Sequence, residues 1–215
     1  QKQQKAKSTS FKEITDITKS KGLSMQFDSS IGEIQKLTYG IEFYHDNVDS
    51  KSVTTNLKDG KKKVSEWGTF PDGSTYWDAN FYVQDSIKLL NNLELIAVGR
   101  YTHYATRSDL SIGDPTFGIF EDSGNAIIGN IGAVLGIMKG LNLTFNAGQA
   151  FRAPNLNDTT AVAVTNEGID APSLGLGPEQ SKGIDIGLKK RSKYFSGTIN
   201  YYFSRVTGLV ARVPL

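Results

Sequence analysis

The sequence contains no cysteine, which excludes disulfide bonds and thiolate metal sites from this chain. It has only two histidines, His45 and His103, and no group of them that suggests a metal centre. No apolar run approaches the ~18–20 residues that a membrane-spanning helix needs. The net charge of +2 is small and the basic residues are scattered, so nucleic acid is not an expected partner.

The motifs of nucleophilic enzymes are also missing. The sequence has no Gly-x-Ser-x-Gly elbow, and its two histidines lie on different predicted strands. A nucleophile with a positioned base is therefore not indicated. We expect a protein that is not an enzyme and carries no cofactor.

Apolar and polar residues alternate along much of the chain. In the clearest case Leu37, Tyr39, Ile41 and Phe43 alternate with polar or small residues. Alternation at period two indicates a strand with one apolar and one polar face. Nine strands are predicted in this way: 11–18, 22–29, 34–49, 75–89, 93–109, 126–138, 141–151, 179–190 and 194–206.

The connections between these strands are of two kinds. The segments 50–74, 110–125 and 152–178 are long and polar, whereas the connections between the other strands are short turns. Because consecutive strands are antiparallel, the turns lie at one end of the sheet and the long loops at the other. Transmembrane barrels have this asymmetry, and lipid requires a closed sheet without open edges. The fold predicted is all-β: an antiparallel meander that forms part, about nine strands, of a large transmembrane β-barrel.

Six short sequence motifs occur along the chain in a fixed order. They are Leu37–Glu42, Pro71–Ser74 followed by Phe81–Asp85, Gly99–Tyr101, the hexapeptide Phe151, Arg152, Ala153, Pro154, Asn155 and Leu156, the box with Pro178 and Glu179, and Ile184–Gly187. In this order and spacing they resemble the barrel of TonB-dependent outer-membrane receptors of the siderophore and haem type. The resemblance covers residues 21–212.

The resemblance implies a 22-stranded barrel plugged by an N-terminal domain, in the outer membrane of a Gram-negative bacterium. We therefore expect residues 1–215 to be one partial barrel domain, without the plug, the TonB box and the C-terminal strands. The function implied is active import of a scarce nutrient, most often a ferric siderophore or other iron complex. The implied partners are TonB, through the missing segments, and outer-membrane lipid.

A haem or haemoglobin receptor is the alternative, because the hexapeptide at Phe151 is common in that group. In the haem receptors that this chain resembles, haem use is linked to a histidine between that hexapeptide and a second sequence box. Here the segment has no histidine, and the second box, Ala171–Leu174, departs from the family pattern. His45 and His103, near predicted extracellular strand ends, are the only candidates for a metal or haem iron.

Ligand contacts are predicted in the extracellular loops. The candidate residues are Trp67, Phe70, Tyr76, Trp77, Arg152 and Asn155. Aromatic residues at such positions also serve to fold a loop or to form an interface girdle. Arg152 either pairs with an anionic ligand or with loop carboxylates that fix the loop.

Two other classes of protein stay open at this point. An outer-membrane enzyme would depend on His45 or His103. A soluble carbohydrate-binding β-sandwich would be monodisperse without detergent, although so many long alternating strands argue against it.

Overall fold

The computed structural model describes residues 9–112, 115–161, 163–165, 168–170, 173 and 175–211, with backbone alone for 163–165 and 168–170. The strands are β1 Ser10–Ile31, β2 Gln35–Asn56, β3 Lys62–Ser65, β4 Ser74–Leu90, β5 Leu93–Asp109, β6 Ile119–Met138, β7 Leu141–Arg152, β8 Ala163–Thr165, β9 Gly168–Asp170, β10 Glu179–Arg191 and β11 Ser196–Thr207. A helical turn, α1, covers Leu156–Thr159, and a short 3-10 helix covers Leu110–Ile112. Among the described residues no helix is long and apolar enough to cross a bilayer.

Nine strands form one antiparallel sheet. Eight follow the order β1-β2-β4-β5-β6-β7-β10-β11, and β3 pairs with the end of β2. The short connections 32–34, 91–92, 139–140 and 192–195 lie at one end of this meander, and the long ones lie at the other. The predicted all-β meander is confirmed. Gly140 shows how tight the short-turn end is: a Cβ there would lie 2.0 Å from the carbonyl oxygen of Arg191.

The first two predicted strands are wrong, because they are one strand. β1 runs for 22 residues in unbroken register with β2, from Ser10 opposite Asn56 to Ile31 opposite Gln35. The segment around Lys19 and Gly22 looked like a turn. Instead Lys19 forms an ion pair with Asp49 of β2, and the missing side chain of Gly22 leaves room for a tyrosine ring.

The predicted long loops contain more regular structure than the alternation indicated. β2 continues to Asn56 and β6 begins at Ile119, so both strands extend into segments predicted as loop. In the sequence, the short strand β3 follows β2 and precedes β4. Between β7 and β10 lie α1 and the separate two-stranded pair β8-β9. The predicted segregation of long and short connections is unaffected.

The sheet has one apolar and one polar face, and the apolar face is the exposed one. We call it the outer face; it carries Ile127, whose side chain is 78% exposed, among many large apolar residues. The opposite, inner face carries the buried polar residues Ser50, Ser52, Ser74, Asn80, Thr102, Thr106 and Ser108. A soluble protein buries its apolar face, so this arrangement is the reverse of the usual one. It is the arrangement expected where lipid covers the outside.

Three tyrosines on the inner face lie over glycines of the neighbouring strand. Tyr44 is opposite Gly22, Tyr82 is opposite Gly40, and Tyr104 is opposite Gly124. A Cβ on these glycines would lie 2.8, 2.7 and 2.4 Å from the nearest atom of the tyrosine ring or hydroxyl. The Tyr82 hydroxyl reaches across β2 and donates to Gln26 Oε1 of β1 at 2.9 Å. Each ring therefore spans a strand that must lack a side chain at that point.

Candidate ligand-binding site

The connection from β3 to β4 folds onto the inner face at the long-loop end. Asp16 of β1 accepts hydrogen bonds from the Ser50 hydroxyl and from the backbone and hydroxyl of Thr69. Asp72 accepts from the backbone N–H of Ser50 at 2.8 Å. A Cβ on Gly68 would lie 2.5 Å from Ser50 Oγ, so the backbone approaches the sheet closely. These contacts hold segment 66–73, which we call the inner loop, against the wall.

Two of the predicted ligand contacts, Trp67 and Phe70, belong to this inner loop. The Ser52 hydroxyl donates to the Trp67 carbonyl at 2.8 Å, and the Phe70 N–H donates to Ser50 Oγ at 3.1 Å. Both side chains are partly exposed. The Trp67 indole Nε1 is buried and has no partner among the described residues. A buried donor without an acceptor carries a free-energy cost that a bound group can remove.

Tyr76 and Trp77 lie in β4, as the predicted strand 75–89 requires, and not in the extracellular loop with which they were grouped as ligand contacts. Successive residues of a strand point to opposite faces. Tyr76 is on the inner face, opposite Thr106 of β5. Trp77 is on the outer face, where its ring centroid lies 6.1 Å from that of Phe43 and 5.0 Å from that of His103. Only Tyr76 shares the inner face with the inner loop.

Both histidines lie on the outer face. His45 is opposite Trp77, and His103 is opposite Ala79. The His103 Nδ1 is 2.7 Å from Asn125 Oδ1, which also accepts from the Tyr101 hydroxyl. The described residues include no group of three side chains that could hold a metal ion. Neither histidine faces the polar side of the sheet.

Arg152 joins three segments where β7 ends. Its guanidinium donates to both carboxylate oxygens of Glu179, at 2.8 and 3.0 Å, and to Asp158 at 2.6 Å. Glu179 also accepts the backbone N–H of Val210, beyond the end of β11, at 2.8 Å. The hydrogen bonds from Arg152 and then Val210 lower the pKa of Glu179 to about 2. The hydrogen bonds to Glu179 and Asp158 raise the pKa of Arg152. Arg152 thus contacts loop carboxylates, and a ligand contact stays a prediction.

Asn155 caps the helical turn α1. Its side chain accepts from the backbone N–H groups of Asn157 and Asp158, at 2.9 and 3.1 Å, and Asp158 accepts from the Asn155 N–H. This reciprocal pair is a capping box. Leu156 and Thr159 are buried, while Asn155 itself is exposed. Phe151, the first residue of the hexapeptide, stacks on Tyr104 with ring centroids 6.4 Å apart.

The wall below the inner loop is polar and internally bonded. Arg100 of β5 donates to Glu42 of β2 at 2.9 Å, and Asn80 of β4 lies between them. Asn80 Oδ1 accepts from the Thr102 hydroxyl at 2.6 Å. Such a network orders polar side chains along a surface that water can reach.

Sequence reasoning missed the residues that place these loops, chiefly Asp16, Asp72 and Asp158. Asp158 carries a readable signal, because Asn155 followed three residues later by an acid is a capping-box pattern. Asp16 has none, since its partners lie 34 and 53 residues away. The second box is outside the described residues except for Ser173.

Comparison with known proteins adds a family to this geometry. Residues 3–215 match the family described as TonB dependent receptor-like, beta-barrel. A comparison with curated protein sequences found no match.

Solved structures share the fold at low sequence identity. The copper transporter OprC aligns with a TM-score of 0.72 and 12% identity, over 90% of this chain and 30% of its own. The unliganded ferric citrate transporter FecA gives 0.68 and 13%, over 94% and 29%. The hemophore receptor HasR of Serratia marcescens, solved with its hemophore HasA and heme, gives 0.63 and 13%, over 92% and 34%. The chain therefore spans about a third of the length of these proteins.

Proposed function

Because the chain belongs to the TonB-dependent receptor-like β-barrel family, we propose that it forms part of the wall of an outer-membrane receptor. The receptor imports a scarce nutrient across the outer membrane of a Gram-negative bacterium, and its cargo is a ferric siderophore or other iron complex. TonB supplies the energy through the plug and TonB box of the complete receptor. β1 and β11 are the two edges of the described sheet, which covers about a third of the receptors it resembles.

The reversal of the two faces supports this function most directly. Buried serines and threonines line one face and exposed apolar side chains line the other. The inner loop, with Trp67 and Phe70, lies on the polar face at the long-loop end. A ligand that enters at the long-loop end can contact this loop, whose Trp67 indole N–H is buried without an acceptor among the described residues.

A haem receptor is less well supported. Haem iron needs a ligating side chain, and both histidines of this chain lie on the outer face. They could contact haem only from the lipid side of the wall. The similarity to a hemophore receptor is a similarity of fold at 13% identity.

The two tryptophans provide the test. In the full-length protein that contains this chain, Trp67→Ala should weaken binding of the cognate iron complex about tenfold, as expected for a partly buried aromatic contact. Trp77→Ala, on the outer face, is the matched control and should leave binding unchanged. Binding would be measured with radioactive iron in a ferric hydroxamate, a ferric catecholate and haem.

Deletion of the inner loop gives the stronger test. Cells that depend on the receptor for iron should lose uptake when residues 66–73 are replaced by a short Gly-Ser linker. Normal uptake after this deletion, with normal surface expression, would contradict the proposed role of the inner loop.

A further inference from the structure

Lys182 of β10 and Arg205 of β11 lie directly opposite each other on the outer face. Both side chains are exposed, and neither has a hydrogen bond or ion pair with another described residue. Two other outer-face bases toward the long-loop end are paired, Lys19 with Asp49 and Arg107 with Glu121, whereas Lys21 faces His45 rather than another base. Like charges directly opposite on neighbouring strands repel each other. This pair therefore has a cost that nothing in the described chain offsets.

The position of the pair is as informative as its charge. The next outer-face row toward the short-turn end is Ile184 opposite Phe203, both exposed and apolar. Beyond it are Ile186 with Tyr201 and Leu188 with Ile199, so the apolar band begins immediately below the two bases. The bases thus stand at the edge of the surface that meets the hydrocarbon of the membrane, on the long-loop side.

A cavity of about 170 Å³ adjoins Lys182, the β10 member of the pair. Asn130 and Gly148 are the last paired residues of β6 and β7 toward the long-loop end, and the cavity lies beyond them, where the two strands are no longer paired. Its lining includes Gln149, Gln180 and Lys182, and these three side chains supply amide and ammonium donors. Cations and amides around a space at the membrane boundary suit a phosphate oxygen.

We propose that Lys182 and Arg205 bind the phosphate of an anionic lipid headgroup in the outer leaflet. One phosphate between the two side chains turns their mutual repulsion into two attractions, with Gln149 and Gln180 at hand for the remaining oxygens. The acyl chains lie along the apolar rows that start at Ile184 and Phe203. This inference rests on the proposed membrane location. The apolar rows can contact the acyl chains of a lipid, whereas a free phosphate has no apolar part to contact them.

The test compares vesicles of two compositions. The full-length protein is reconstituted into phosphatidylcholine alone or into equal parts phosphatidylcholine and phosphatidylglycerol, and its thermal unfolding is followed. The parent protein should unfold at a higher temperature in the anionic vesicles. Lys182→Gln with Arg205→Gln should abolish that increase, and anionic lipid retained in detergent should fall about tenfold. Lys189→Gln, an inner-face change on the same strand, is the matched control.

The doubly substituted protein should fold, because replacing both facing like charges with neutral amides removes their repulsion. An increase that survives the double substitution, or one that inorganic phosphate alone reproduces, overturns the headgroup site. Failure of every variant and the parent to enter vesicles of either composition would instead contradict the proposed membrane location.

Discussion

Glu179 connects parts of the chain that are far apart in sequence. It accepts two hydrogen bonds from Arg152 and one from the N–H of Val210, and Arg152 in turn holds Asp158 of the capping box. The carboxylate therefore fixes the start of β10, the end of β7, α1 and the segment after β11. All these contacts lie at the rim, outside the apolar band of the strands.

The lowered pKa of Glu179 predicts a pH dependence at the rim. A carboxylate whose folded pKa lies below its ordinary value of 4.5 stabilises the fold above that value. The contribution should disappear as the pH falls from 4.5 through about 2. Proteolysis or hydrogen exchange of segment 153–178 should therefore increase over this window in the parent protein.

Glu179→Gln should make the segment more open at neutral pH and remove most of that pH dependence. Glu121→Gln, which breaks an exposed ion pair with Arg107, is the control and should change little. A segment that is equally protected in the parent and in Glu179→Gln at neutral pH would refute the rim contact as a stabilising one.

Strand pairing depends on the tyrosines that lie over glycines. Gly40→Ala should destabilise the fold by about 1–3 kcal/mol, because the new Cβ would meet the Met25 carbonyl and the Tyr82 hydroxyl. Gly99→Ala on β5 is the matched control, since its Cβ would meet only Val83 at 3.8 Å. Equal urea midpoints for the two variants in reconstituted protein would show that the ring does not require the glycine.

At the level of elements, period-two alternation predicted where most strands lie but not where they end. The alternation predicted strands 11–18 and 22–29 separately, because the polar segment Lys19–Lys21 between them looks like a turn, whereas β1 is continuous through it. Partners distant in sequence, such as Lys19 and Asp49, decide its true length. The turn α1 is too short for helical periodicity, and its signal is the capping pattern alone.

The candidate site was predictable in its residue types but not in its faces. Trp67 and Trp77 look alike in the sequence, and only the register of β4 places Trp77 beside His103 on the outer face. Arg152 was recognisable as a motif residue, whereas its partner Asp158 depends on the local turn. The register of a strand decides which face of the sheet each side chain lies on. An error of one residue in the register moves every side chain to the opposite face.

For the whole molecule, the central claim is that the exposed apolar face meets lipid and the polar face meets water. Residues 1–215 contain no cysteine, so in a full-length variant whose other cysteines are replaced by serine a single introduced cysteine carries the only spin label. Single labels at 129 to 133 on β6, in the full-length protein reconstituted into bilayers, would test the claim. Labels at Gly129, Ile131 and Ala133 should be relaxed by oxygen dissolved in lipid, and those at Asn130 and Gly132 by a water-soluble nickel chelate. Relaxation without this alternation, or with the two faces exchanged, would contradict the account.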